Sequence, residues 1–370
     1  MSILILVVSL ALLILVHEFG HFIVAKKTGV RVDEFGIGFP PKLFGKKFGE
    51  TAYTVNLLPF GGFVKIFGEN PDEEALHGPD KARSFIHQPK IKQAAILGAG
   101  VFFNFLFAWV LISIGFMSGL PVPVRAAPAG VPVRDARIIV TNVEKDSPAE
   151  TAGLRAGDAL LSLGASDSLL EKNISITAIQ DFIAQHGGKQ VVISYARSGE
   201  KESIQPLTIV PEAGIFGDTP AIGVAMDEIG IVRLFPHRAV WEGLRMTAAL
   251  TGAVALSFGS LIVAAFTGSV ELSNLTGPIG IVGLIGDAAG FGFVYLLSFV
   301  AFISVNLAVL NLLPIPALDG GRLFFLLIET ITGSRLSPRF VNTAHLIGFA
   351  ALVLFMIIIT YNDIARLVVG

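Results

Sequence analysis

Four stretches of the chain stay apolar long enough to cross a bilayer, which takes ~20 residues. Ile3 to Ala25 is interrupted only by Ser9, His17, Glu18 and His21, and predicts a first span over residues 1–26. Ala94 to Leu120 predicts a second over 93–120, with small residues at Gly98, Ala99 and Gly100 suited to close helix contact and a lone side-chain amide, Asn104. Phe291 to Leu313 predicts a third, and residues 343–363 a fourth. Between the first two lies a different pattern. Residues 33–68 are rich in glycine and aromatics. Tyr53, Val55 and Leu57 alternate, as do Phe63, Lys65 and Phe67, around a Pro59–Gly62 turn. That reads as a β-like loop at or in the membrane, tolerable only where protein or water satisfies its backbone.

Residues 133–228 read as one small soluble α/β domain, entered through the Pro-rich segment PVPVRAAPAGVPV. Residues 234–290 are harder. Met246–Val270 is apolar enough to span, but Thr, Ser and Gly pepper it, so a surface-lying amphipathic helix competes. Sidedness arbitrates. Lys26, Lys27, Arg31, Lys42, Lys46 and Lys47 follow the first span and none precede it, which puts the N-terminus outside and Lys26 in the cytoplasm. The same absence of a basic leader argues against a cleaved signal peptide. The second span then runs outward; the third must run inward to bring Asp319 at its end to the cytoplasmic side, and the fourth outward, which leaves Arg335 and Arg339 inside, so residues 234–290 must make an even number of crossings. They are expected to lie at the surface or to be re-entrant.

Composition sharpens this picture. Hydrophobic residues make up 53% and charged residues 15% of 370, with mean hydropathy +0.71. A soluble domain carries about 25% charge, so the chain is a polytopic α-helical membrane protein, with four spans, the β-like loop and an inserted α/β domain. The net charge of −2 offers no basic field for nucleic acid. Cysteine is absent, so any metal must be held by His, Asp or Glu.

The chemistry lies in His17-Glu18-Phe19-Gly20-His21, an HExxH motif. Residues i and i+4 share a helix face, so both imidazoles can meet one metal, and Glu18 can poise a water beside it. Ionisable residues inside a span are costly and point to function. His17 lies nine residues before Lys26, ~13 Å along the helix axis, which places a metal inside the bilayer toward the cytoplasm. A third ligand is needed. Asp319 is the best placed, in the Pro- and Gly-rich break after the third span. Asp287, Asp363, Glu329 and His345 are weaker, the first two on the outer side and His345 at a helix start where packing explains it.

HEFGH, NLLPIPALDGG, GGFVKIFGE, Asn104-Phe105, TGPIGIVG at Thr276–Gly283 and SVNLAVLNLLP together resemble the bacterial branch of the site-2 protease family of intramembrane metalloproteases. The resemblance covers nearly the whole chain. It implies Zn2+ held by His17, His21 and Asp319, Glu18 as general base, and Asn311 on the substrate backbone. It also implies a substrate strand laid along Gly61, Gly62 and Phe63. The substrate would be a single-span membrane protein already trimmed outside, such as an anti-sigma factor or a signal-peptide remnant, in a bacterial inner membrane. Ala149–Gly164, AETAGLRAGDALLSLG, is similar to a PDZ domain segment. Such a domain could take a peptide or the trimmed substrate end, or filter by size; its carboxylate-binding loop cannot be placed from the sequence. Three departures stand out. One soluble domain fits where relatives carry two, Val101 stands where Pro is expected, and Arg322 follows the Gly pair where His is common. The competing reading is a non-enzymatic PDZ scaffold with the His/Glu cluster as packing. A metal transporter would favour inverted repeats, and none is seen.

Overall fold

The computed structural model describes residues 2–69, 73–166, 168–171, 174–197, 204–215, 217–268 and 277–369. Thr276 of TGPIGIVG and the side chain of Asp287 lie outside the described part. The chain divides into two compact units. One comprises Met1–Ile114, Val240–Ala289 and Leu296–Gly370; the other comprises Gly115–Ala239 and Gly290–Tyr295.

The first unit opens with α1 (Ser2–Lys27). All its buried residues but Phe22 fall in one stripe, Leu6, Ser9, Leu13, His17, Gly20, His21 and Ala25, the i, i+3, i+4 spacing of a single helix face. Lys26 and Lys27 sit in the last turn, where cations favour the helix dipole. Gly29 at φ +85° then turns the chain out of the helix. The sequence predicts short strands about Pro59–Gly62; instead two long ones form, β1 (Val32–Phe48) and β2 (Thr51–Ile66), turning at Gly49, φ +62°. Both bend, so residues 34–37 of β1 lie between two stretches of β2. Phe35 registers with Val64 on one side and Tyr53 on the other, and Gly36 with Phe63 and Thr54. Gly62–Ile66 is therefore paired on one side only among the described residues. Glu50, at the hairpin turn, is pinned by Lys26 and by Arg83, and the Lys26 ammonium first and the Arg83 guanidinium second hold its carboxyl below the usual range.

After the short α2 (Glu73–His77), α3 (Lys90–Ser118) lies against α1. The approach is close because the residues are small: a Cβ on Gly20 would stand 2.6 Å from the Ala99 carbonyl oxygen. Phe22, Ala25, Val30, Val32, Ile66, Ile96 and Leu97 bury one another where α1, β1, β2 and α3 meet.

The second unit is a sheet of β3 (Leu120–Pro123), β4 (Arg134–Val143), β5 (Ala159–Ala165), β6 (Ser168–Leu170), β7 (Val191–Ala196), β8 (Ile204–Ile209) and β9 (Val224–Val232), ordered β3-β9-β4-β5-β7-β8 with β6 on β5. Two helices accompany it, α4 (Pro148–Ala152) and α5 (Ile176–Gln185). Ser147 caps α4 by accepting the Glu150 N–H, and Gly153 ends it at φ +94°. Asp158 is 1% exposed; it accepts the Arg155 N–H and pairs with Arg197 at 2.7 Å. Ile138, Val140, Leu163, Ile179, Ile193 and Ile222 form the core.

The chain continues into α6 (Pro236–Thr267), α7 (Pro278–Phe291), α8 (Phe293–Leu312), α9 (Asp319–Thr332) and α10 (Pro338–Val369). Five helices among the described residues are long and apolar enough to cross a membrane: α1, α3, α6, α8 and α10. That is one more than the four read from the sequence, because α6 is a single continuous helix with very little of its apolar stretch covered by protein. The first residues of α6 and of α8 both belong to the second unit, so the segment between them leaves that unit and returns to it. Asp363, a weaker ligand candidate in the sequence, is instead buried on α10 and accepts the Gly277 and Gly280 N–H groups at the start of α7.

Candidate metal centre

His17 and His21 sit one turn apart on the buried stripe of α1. Asp319 reaches them from the opposite end of the sequence. α8 stops at Leu312, residues 313–318 form a turn, and α9 begins on Asp319. Gly320 and Gly321 allow this tight reversal, because a Cβ on either would collide with backbone between Leu312 and Pro316. Ala317 is held at φ +83°, and its N–H donates to His345 Nδ1 at 2.8 Å. His345, expected to pack, thus braces the turn that presents Asp319.

The three ligand-type atoms converge. Asp319 Oδ2 lies 2.9 Å from His17 Nε2 and 3.2 Å from His21 Nε2, and the two Nε2 atoms are 3.2 Å apart. His21 Nδ1 lies 2.8 Å from the Ile96 carbonyl oxygen, which can only accept, so neutral His21 carries its proton there and turns a bare Nε2 to the centre. Lone pairs converging at this spacing repel unless a proton or cation sits among them. Four donors at ~2.0–2.2 Å from a tetrahedral zinc are about 3.3–3.6 Å apart, so the cluster needs little adjustment to fit the ion. Gly100 makes the room: a Cβ there would stand 2.6 Å from His17 Cε1 and 2.7 Å from His17 Nε2. Among the described residues this is the group of His and acidic side chains able to hold a metal.

Glu18 is half-buried beside the cluster, and its Oε2 accepts the Val64 N–H at 3.1 Å. The one-sided stretch of β2 thus touches Glu18 directly. Gly61 is buried at φ +101°, with Ile14 of α1 where a Cβ would go. Gly62 registers with Ile37 and Phe63 with Gly36, whose missing side chain leaves space for the Phe63 ring. Asn311 lies half-buried in the last turn of α8, and no hydrogen bond engages its side-chain amide among the described residues. Glu329, the remaining rival, pairs with Lys90, and Arg322 pairs with Glu69. Asn104, absent from the predicted ligand set, lies against His17; its signal in the sequence was a lone amide inside an apolar span.

Fold and centre together define a membrane-embedded protein of the HExxH class with a distant aspartate. The family model "Peptidase family M50" matches residues 5–355. The chain belongs to that family of peptidases, the site-2 proteases. It is 31% identical to the regulator of sigma-E protease RseP of Escherichia coli over 98% of each chain. It is 30% identical to the zinc metalloprotease RasP of Geobacillus kaustophilus over 99% of this chain and 98% of the relative. These alignments run over 454 and 443 positions, more than the 370 residues here, so both relatives carry insertions that this chain lacks.

Proposed function

We propose that the protein is a zinc-dependent intramembrane endopeptidase that cuts the membrane segment of single-span proteins, with His17, His21 and Asp319 as ligands and Glu18 as general base. The observation that carries this is the approach of Asp319 Oδ2 to both imidazoles, 2.9 and 3.2 Å, inside the apolar part of the chain. Zinc bound there would supply a Lewis acid that brings the pKa of a water to ≈ 7 and polarises a carbonyl.

The protein's own groups do the rest. Glu18 takes a proton from the attacking water and returns it to the leaving amine. The Val64 N–H keeps the Glu18 carboxylate aimed. The Asn311 amide serves the substrate backbone. A helical substrate hides its peptide bonds in i→i−4 hydrogen bonds and must unwind to be cut. The one-sided stretch Gly62–Ile66 offers replacement partners by strand addition, with Phe63 against the added strand. The basic run Lys26 to Lys47 supports a cytoplasmic site, with the N-terminus and soluble domain outside.

The soluble domain is read as a PDZ-like gate. Among the described residues Val224–Glu228 of β9 pairs only with β4, while β3 pairs with residues 229–232. That leaves a strand edge for an extended peptide such as a trimmed substrate end. An anti-sigma factor or signal-peptide remnant suits this reading as substrate. In proteoliposomes, the purified protein is expected to cut a single-span substrate, to stop on addition of 1,10-phenanthroline, and to recover with added zinc. Cleavage indifferent to the chelator would contradict the proposal.

A further inference from the structure

Asn104, the deepest polar side chain of α3, lies outside the ligand set. It is fully buried, one turn after the Gly100 that admits the imidazoles. Its side-chain amide lies 3.1 Å from His17 Nδ1. Its backbone carbonyl accepts the Ser304 hydroxyl at 2.8 Å, which anchors this turn of α3 to α8.

The two imidazoles are supported differently. His21 Nδ1 faces a carbonyl that can only accept, so its tautomer is fixed. His17 Nδ1 faces an amide, which can donate through Nδ2 or accept through Oδ1. With Nδ2 toward His17, the amide favours the tautomer whose Nε2–H points at Asp319 Oδ2, 2.9 Å away. In that orientation Asn104 Oδ1 is buried with no hydrogen-bond partner among the described residues. Half a turn of the amide brings Oδ1 to Nδ1. One proton then belongs on Nδ1 instead of Nε2, with no change in net charge, and Nε2 is left bare.

We propose that Asn104 is the positioning residue of His17: its Oδ1 accepts the Nδ1–H and holds Nε2 ready for the metal. This rests on His17 being a ligand. Outer hydrogen bonds of this kind typically change metal affinity by about 10–100-fold.

The test uses the full chain in detergent with two variants. Zinc affinity is measured by chelator competition, and thermal unfolding of the metal-free protein reports folding. Asn104→Leu is expected to weaken zinc binding about 10–100-fold with the metal-free melting point unchanged. Asn104→Asp keeps an acceptor and is expected to bind at least as tightly as the unaltered chain. Zinc binding by Asn104→Leu at full strength would overturn the proposal, as would Asn104→Asp as weak as Asn104→Leu. Where a variant fails to fold, the histidine 15N spectrum of the unaltered zinc-loaded protein decides. A hydrogen-bonded proton on His17 Nδ1 is expected, and a proton on His17 Nε2 overturns the proposal. His17→Ala separates the two levels: if it retains zinc, the metal centre itself is wrong, whatever Asn104 does.

Discussion

Replacing Asp319 with Ala is expected to strip zinc from the purified protein and abolish cleavage with it. Among the described residues the carboxylate is the acidic group within reach of both Nε2 atoms, and it brings the negative charge that offsets the cation in a low-dielectric site. Two imidazoles one turn apart cannot close a tetrahedral site alone. Loss of a direct ligand should exceed the ~10–100-fold cost of losing a supporting hydrogen bond. The check is zinc per chain by elemental analysis after dialysis against a weak chelator. Near-zero occupancy is expected in the variant, against one per chain in the parent. Full occupancy in the variant would remove Asp319 from the ligand set.

Glu18→Gln is expected to give the opposite dissociation: zinc retained, cleavage lost. Glutamine keeps the shape of the side chain and an oxygen for the Val64 N–H, so the local structure should hold. It cannot take a proton from water. General-base loss costs about 10²–10⁴-fold in rate, and the turnover number of the reconstituted protein should fall by that much. A variant that cuts within tenfold of the parent would favour the non-enzymatic scaffold, or another base.

How much of the fold is legible in the sequence depends on the physical signal each element leaves. α1, α3, α8 and α10 are visible because ~20 consecutive apolar residues match the thickness of a bilayer core. The HExxH pair is visible because i and i+4 share a helix face. Asp319 stands out by the Pro/Gly break around it, although its approach to α1 is a long-range fact that no spacing encodes. The hairpin is longer than its sequence pattern suggests. Both of its faces are apolar, so Phe39, Phe44 and Phe48 give no clean alternation, and the turn falls at Gly49 rather than at Pro59–Gly62. α6 stays ambiguous in the sequence because Thr, Ser and Gly dilute an apolar run without breaking a helix. Thr247, Thr251 and Ser257 instead bond back to carbonyls of their own helix. Asn104 and His345 look like helix-packing residues in the sequence. Only the folded chain shows that the first touches His17 and the second holds the Asp319 turn.

The most direct test is the zinc-edge X-ray absorption spectrum of the purified, full-length protein. The account predicts one bound ion with only nitrogen and oxygen neighbours and outer-shell scattering from two imidazoles, and near-complete loss of the zinc edge in His21→Ala. An ion carrying no imidazole scattering, or a spectrum that His21→Ala leaves unchanged, would contradict it.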